Sequence, residues 1–151
     1  MPWLNVPHLQ QAKPAWCLPA CLAMVTAYWE HPLYQPDIAQ WLDTTDIGTP
    51  SSRVQRLNKR GFDVLYLNGS LAQLKAWIEQ NVPCILFIRT GELSYWQLDT
   101  PHAVVLAGFS QEEAHLFDPA LESGPVAASI DEMMLAWAYS DYTYAVLQPA
   151  A

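Results

Sequence analysis

The sequence predicts an α+β fold, and three observations carry that expectation. The stretch from Cys17 to Trp29 is apolar on nearly every side, so it reads as a helix that must be buried. Shorter helical patterns follow it. From Pro83 onward the pattern changes to short apolar runs separated by turns, and helices followed by an antiparallel sheet is the α+β arrangement. The 151 residues suit one domain, since domains commonly hold ~100–150 residues. We therefore expect a single domain over 1–151. Hydrophobic residues are 52% of the chain and charged ones 15%, which favours a packed core over disorder.

Each element has its own justification. Pro19 fits the first turn of the buried helix, where a missing N–H costs nothing, and His31-Pro32 stops it. A second helix is expected over Gln35–Leu42. A third opens at Thr49-Pro50-Ser51-Ser52 and runs to Lys59-Arg60-Gly61, with glycine as its stop signal. Phe62–Leu67 reads as a strand. Ser70–Glu79 is again helical, with Leu71, Leu74, Trp77 and Ile78 on one face. Cys84–Arg89 is a continuous apolar run, as a central strand would be. Ala103–Phe109 and Ala114–Phe117 form a hairpin around Ser110–Glu113. A last helix is expected over Asp131–Ala138 and a last strand over Tyr142–Leu147.

Charge narrows the function classes. Seven Lys+Arg against fifteen Asp+Glu give a net charge of −8, which suits neither nucleic acid nor an anionic membrane surface. Arg53, Arg56, Lys59 and Arg60 form a small basic cluster that reads as a solvated helix face. No apolar run approaches the ~20 residues of a membrane span. Residues 1–11 show neither a basic leader nor an apolar signal core. Three cysteines cannot complete a disulfide framework within one chain, so a reducing, cytoplasmic location is expected.

The residues that carry chemistry begin with Cys17. It stands at the start of the buried helix, where unpaired N–H groups and the helix dipole favour a thiolate. Taken alone it is equally an ordinary structural thiol. Cys21 and Cys84 lie in apolar surroundings and read as buried thiols. Cys-x3-Cys is a weak metal pattern with no second ligand pair, and a disulfide between those two positions would be strained. A thiol nucleophile needs a base, and the base an orienting group. His102 opens a strand beside a loop, and Asp118 ends the partner strand. One choice of turn length makes them diagonal neighbours on one face; a one-residue change would separate them. His8 and His31 lie beside prolines and read as loop residues, whereas His115 alternates with apolar neighbours and should point outward. Gln11, six residues before Cys17, offers an amide that could donate to an oxyanion beside the Cys17 N–H.

These residues resemble a known family. Gln11-Ala-Lys-Pro-Ala-Trp-Cys17-Leu-Pro-Ala-Cys21-Leu-Ala-Met-Val, followed by Tyr28-Trp29, looks like the opening of papain-like cysteine peptidases. The nearest likeness is to the compact bacteriocin-processing (double-glycine leader) peptidases and their standalone bacterial relatives. Pro101-His102-Ala-Val-Val-Leu-Ala-Gly-Phe and Leu116-Phe-Asp118-Pro119 are similar to that family's His and Asp-Pro strands. Gly48-Thr49 and Gly61-Phe62 fit its middle element, so the resemblance spans residues 7–148. Where leader peptidases carry Asp-Cys-Gly, this chain has Trp16-Cys17-Leu18, nearer the standalone relatives.

The resemblance implies a papain-like fold with Cys17 as nucleophile, His102 as general base and acid, Asp118 as orienter and Gln11 as oxyanion donor. It implies a peptide or protein substrate and requires no metal or organic cofactor. The same triad would serve a glutamine deamidase or a transglutaminase-like acyl transferase, and a non-enzymatic binding domain could keep the fold. The aromatic loop 90–100 is a candidate wall of the substrate cleft through Tyr95 and Trp96, with Trp16 beside it. Packing of those two rings on the core is the other reading.

Overall fold

The computed structural model describes residues 2–151. Helix α1 (Cys17–Tyr28) buries every residue from Leu18 to Thr26. A helix so enclosed needs no polar face, which explains its composition. Helix α2 (Gln35–Trp41) follows, with proline in its first turn. Ser51–Lys59 forms a 3-10 helix rather than an α-helix, and it buries only Val54 and Leu57. Strand β1 (Phe62–Asn68) leads to α3 (Leu71–Glu79), whose N-terminus is capped by the Ser70 side chain. Then come β2 (Cys84–Arg89), β3 (Pro101–Ser110), β4 (Glu113–Phe117), β5 (Val126–Ser129), α4 (Ile130–Ala138) and β6 (Thr143–Pro149).

The six strands form one antiparallel sheet in the order β1-β6-β2-β3-β4-β5. Because side chains alternate along a strand, the sheet feeds two cores. Ile85, Phe87, Val105 and Ala145 pack with α1, α2 and the 3-10 helix. Leu86, Val104, Leu106 and Val146 pack with α3 and α4 on the other side. This is helices on an antiparallel sheet, as expected. Among the described residues, no helix is long and apolar enough to cross a membrane.

Three details depart from the sequence reading. Strand β5 was not expected; Val126-Ala-Ala-Ser129 is too short and too poor in β-branched residues to announce itself. His115 is buried, not outward: its Nε2 pairs with Ser110 Oγ at 3.0 Å and its ring sits 5.0 Å from that of Trp3. The N-terminal segment covers that face of β4, which no pattern within the strand could reveal. The basic cluster is only partly a solvated face. Arg53 donates to the carbonyls of Leu42 and Asp43, and Arg56 to that of Trp41, so both neutralise the C-terminal end of α2.

The β3–β4 hairpin contains a bulge. Near the turn the pairs are Ser110↔Glu113 and Gly108↔His115; beyond it they are Leu106↔Leu116 and Val105↔Phe117. The extra residue, Ala107, shifts the register by one. The N-terminal segment docks there, with Trp3 bridging Gly108 and the Leu4 N–H donating to the Ala107 carbonyl at 2.8 Å. A Cβ on Gly108 would stand 2.2 Å from the Pro2 carbonyl oxygen and 2.6 Å from Trp3 Cα. Gly108→Ala should therefore lift the N-terminal segment and lower the unfolding free energy by about 2 kcal/mol, as overpacking does. Urea unfolding reads this directly, and a change below about 0.5 kcal/mol would show that the contact carries little stability.

Candidate active site

The bulge decides which residues meet. Continuing the register beyond Val105↔Phe117 sets Asp118 opposite Val104 and residue 120 opposite His102. His102 and Asp118 thus fall on the same face, two positions apart on the diagonal. His102 Nε2 and Asp118 Oδ1 are 2.7 Å apart. Asp118 has no exposed surface and His102 only 9%. Nε2 is engaged by Asp118, which leaves Nδ1 as the other ring nitrogen, and Cys17 lines the same cleft as His102. Cys17 is the first residue of α1, where backbone N–H groups have no intrahelical acceptor.

Electrostatics hold the pair in its charged form. Burial alone pulls the His102 imidazolium down, but the hydrogen bonds and charges of Asp118 and Cys17 outweigh it and lift His102 to about 9. Burial alone would raise Asp118. The His102 hydrogen bond and charge, the Ala120 N–H and the Trp96 indole overcome that and keep it below the usual carboxylate range. Burial first, then the charges of Cys17 and Asp118, push the Cys21 thiol well up. Burial does the same to Cys84. All three cysteines are free.

Cys17 and His102 open onto a cleft of about 710 Å³. Gln11 and Leu18 line it with the thiol, as do Ile47 on the 45–48 turn, Leu98 and Tyr139. Ile47, Leu98 and Tyr139 are strongly exposed. Arg89 stands in the wall, held by Asp99 at 3.2 Å.

The model of the Peptidase_C39 like family matches residues 3–146, nearly the whole chain. The chain belongs to the C39-like peptidase family. It is accordingly a cysteine peptidase with a papain-like fold. No curated protein matches it in sequence. Among solved structures, this C39-like peptidase is similar to the peptidase domain of Streptococcus ComA, described as a bifunctional ABC transporter involved in a quorum-sensing pathway. The TM-score is 0.78 at 18% identity, covering 97% of this chain and 100% of that one. It is also similar to a double-glycine-motif protease from an AMS/PCAT transporter in complex with the leader peptide. There the TM-score is 0.76 at 22% identity, covering 98% and 94%. A C39-like peptidase from Bacillus anthracis gives 0.79 at 16% identity over 99% and 98%. At such identities the likeness is one of fold.

The remaining site candidates of this C39-like peptidase are placed as follows. Gln11 lines the cleft, but its Nε2 donates to the carbonyls of Lys13 at 3.0 Å and Pro14 at 2.6 Å, and its Oε1 is buried without a partner. Its backbone is pinned by a bond from its N–H to the Pro119 carbonyl at 2.7 Å. Trp96 lines the cleft and packs edge-on against His102, 4.9 Å between ring centres. Trp16 and Tyr95 lie outside the cleft wall. Trp16 instead stacks under the Lys13 ammonium at 5.0 Å. Tyr95 and Trp96 both donate to Asp118 Oδ2, at 2.7 and 2.8 Å. Sequence reasoning had offered these rings to the substrate or the core; nothing in a loop's composition could aim them at a carboxylate. It also missed Ile47 and Leu98, whose place in the cleft wall follows only from the folded loops.

Proposed function

We propose that these residues form one peptidase domain that hydrolyses peptide bonds through a Cys17-His102-Asp118 triad. The observation that carries the reading is the 2.7 Å His102–Asp118 pair in a cleft that Cys17 also lines. The Cys17 thiolate adds to the carbonyl carbon of the scissile peptide, and the carbonyl oxygen becomes an oxyanion. The Cys17 N–H at the start of α1 supports that charge. Gln11 is the second donor, and in this role its amide swings from the Lys13 and Pro14 carbonyls toward the cleft. The tetrahedral adduct collapses as the C–N bond breaks, and His102 Nδ1 gives its proton to the leaving amine. Neutral His102 then takes a proton from water, whose oxygen adds to the thioester. The C–S bond breaks, releasing the acid and restoring the ion pair. Asp118 keeps the ring in the orientation both steps need.

A peptide substrate fits the largely apolar cleft, and the related transporter protease that holds its leader peptide supports it. Three free thiols fit a reducing, cytoplasmic setting, and the acidic balance fits a partner other than nucleic acid.

Iodoacetamide labelling between about pH 5 and 9, mapped by mass spectrometry, tests the ion pair. Cys17 should label rapidly at neutral pH and at least tenfold more slowly in His102→Ala, while Cys21 and Cys84 stay unlabelled because burial holds them as thiols. Equal, slow labelling of Cys17 in both proteins would sink the triad.

A further inference from the structure

The loop between β2 and β3 ends two side chains on one oxygen. Tyr95 and Trp96 both donate to Asp118 Oδ2, while Oδ1 separately meets His102 Nε2 at 2.7 Å and the Ala120 N–H at 2.9 Å. The carboxylate is thus held from four fixed directions with no exposed surface. Two of those directions set its rotation about Cβ–Cγ, and they come from outside the triad. Trp96 also touches His102 and the cleft. Tyr95 touches neither, so its hydroxyl reaches the chemistry only through Asp118.

We propose that Tyr95 is a positioning residue for hydrolysis: its hydroxyl locks the Asp118 carboxylate so that Oδ1 lies on His102 Nε2 and Nδ1 stays turned to Cys17. The inference rests on the triad reading. The loop that carries Tyr95 is itself anchored. The Ser94 N–H donates to Glu132 Oε1 at 2.6 Å, and Glu132 Oε2 accepts from Ser129 Oγ at 3.1 Å. Ser129 in turn caps α4 by accepting the Glu132 N–H at 3.0 Å. The capping pair of α4 therefore also fixes the residue before Tyr95. Burial first, then Asp118, push the Tyr95 phenol far above its ordinary range, so it remains a donor wherever the protein is folded.

The titratable groups that act on Asp118 or Tyr95 are few. They are His102 from β3, Cys21 from α1, Tyr95 itself, and Glu132 from α4 acting on Tyr95, with Cys17 reaching Asp118 through His102. Removing the Tyr95 hydroxyl takes one donor from a carboxylate, which raises the pH at which that carboxylate protonates. The test is a 15N NMR titration of the His102 ring, beside the pH profile of Cys17 alkylation by iodoacetamide. Wild type, Tyr95→Phe, Trp96→Phe, Asp118→Asn and the Tyr95→Phe/Asp118→Asn double variant are compared.

In Tyr95→Phe the acid inflection of both profiles should move up by about one pH unit, the scale of one charge-assisted hydrogen bond. Trp96→Phe should do likewise, and Tyr95→Phe should add nothing to Asp118→Asn. An inflection that stays put, or one that still moves when Asp118 is asparagine, overturns the proposal; mere packing would scale the profile without moving it. If the inflection moves as expected but wild-type Cys17 labels slowly, the hold of Tyr95 on Asp118 stands and the peptidase triad falls.

Discussion

Cys17→Ala should lower peptide hydrolysis by about 10⁴-fold or more, the scale of losing a nucleophile whose partners act as a unit. The neighbouring thiol cannot take over. Cys21 lies one turn deeper, is fully buried and is held as a thiol. The fold should be indifferent to the change, because Cys17 is only half-buried at the first helical position and alanine is the best helix former. His102→Ala should cost activity on the same scale, since the acid and base step is lost along with the ion pair. Appearance of new amino termini from a peptide library measures both. Activity within tenfold of wild type in either variant would show that another nucleophile or base operates.

Asp118→Ala should be the most damaging single change to stability among the site residues, costing about 3–5 kcal/mol. It orphans four donors at once, those of His102, Ala120, Tyr95 and Trp96, and three of them are side chains. The pH dependence of stability gives the sign independently. His102 is raised to about 9 in the folded protein, above an unfolded value of ~6.5. Its contribution is therefore complete below about pH 6.5 and fades as pH climbs through 9. Asp118 is lowered, so its contribution is complete above ~3.9 and is lost as pH falls through its folded value. Wild-type protein should be most stable between those limits, and Asp118→Ala should flatten both slopes. Urea unfolding at several pH values checks this; curves that run parallel for the two proteins would show that the pair is not what titrates.

How much was visible beforehand varies with the kind of interaction. The start of α1 was legible, because Pro19 and an all-apolar stretch leave no alternative to a buried helix beginning at Cys17. The central strand was legible from the continuous run of Cys84–Arg89, whereas the division into two cores was not read from it. The pairing of His102 with Asp118 was legible as one of two registers, and local pattern could not choose between them. Contacts made across the chain stayed hidden. The N-terminal segment that buries His115 lies more than a hundred residues away, and the Tyr95 and Trp96 hydrogen bonds depend on a loop path rather than a period. Arg53 and Arg56 looked like a solvated face because their acceptors, the last carbonyls of α2, are set by tertiary packing.

The bulge at Ala107 makes the β3–β4 hairpin a device with two phases. Counted from the turn alone, with Ser110 opposite Glu113, Asp118 would fall across from Val105 and emerge into the apolar layer beneath α1. The slip of one residue moves it across from Val104 and into the company of His102. The pairing of His102 with Asp118 is thus encoded neither at the turn nor at the cleft but at the splice between them, and Trp3 and Leu4 are the clasp over that splice. Residues 2–6 line no part of the cleft, yet two of them are bonded to the strand where its register changes.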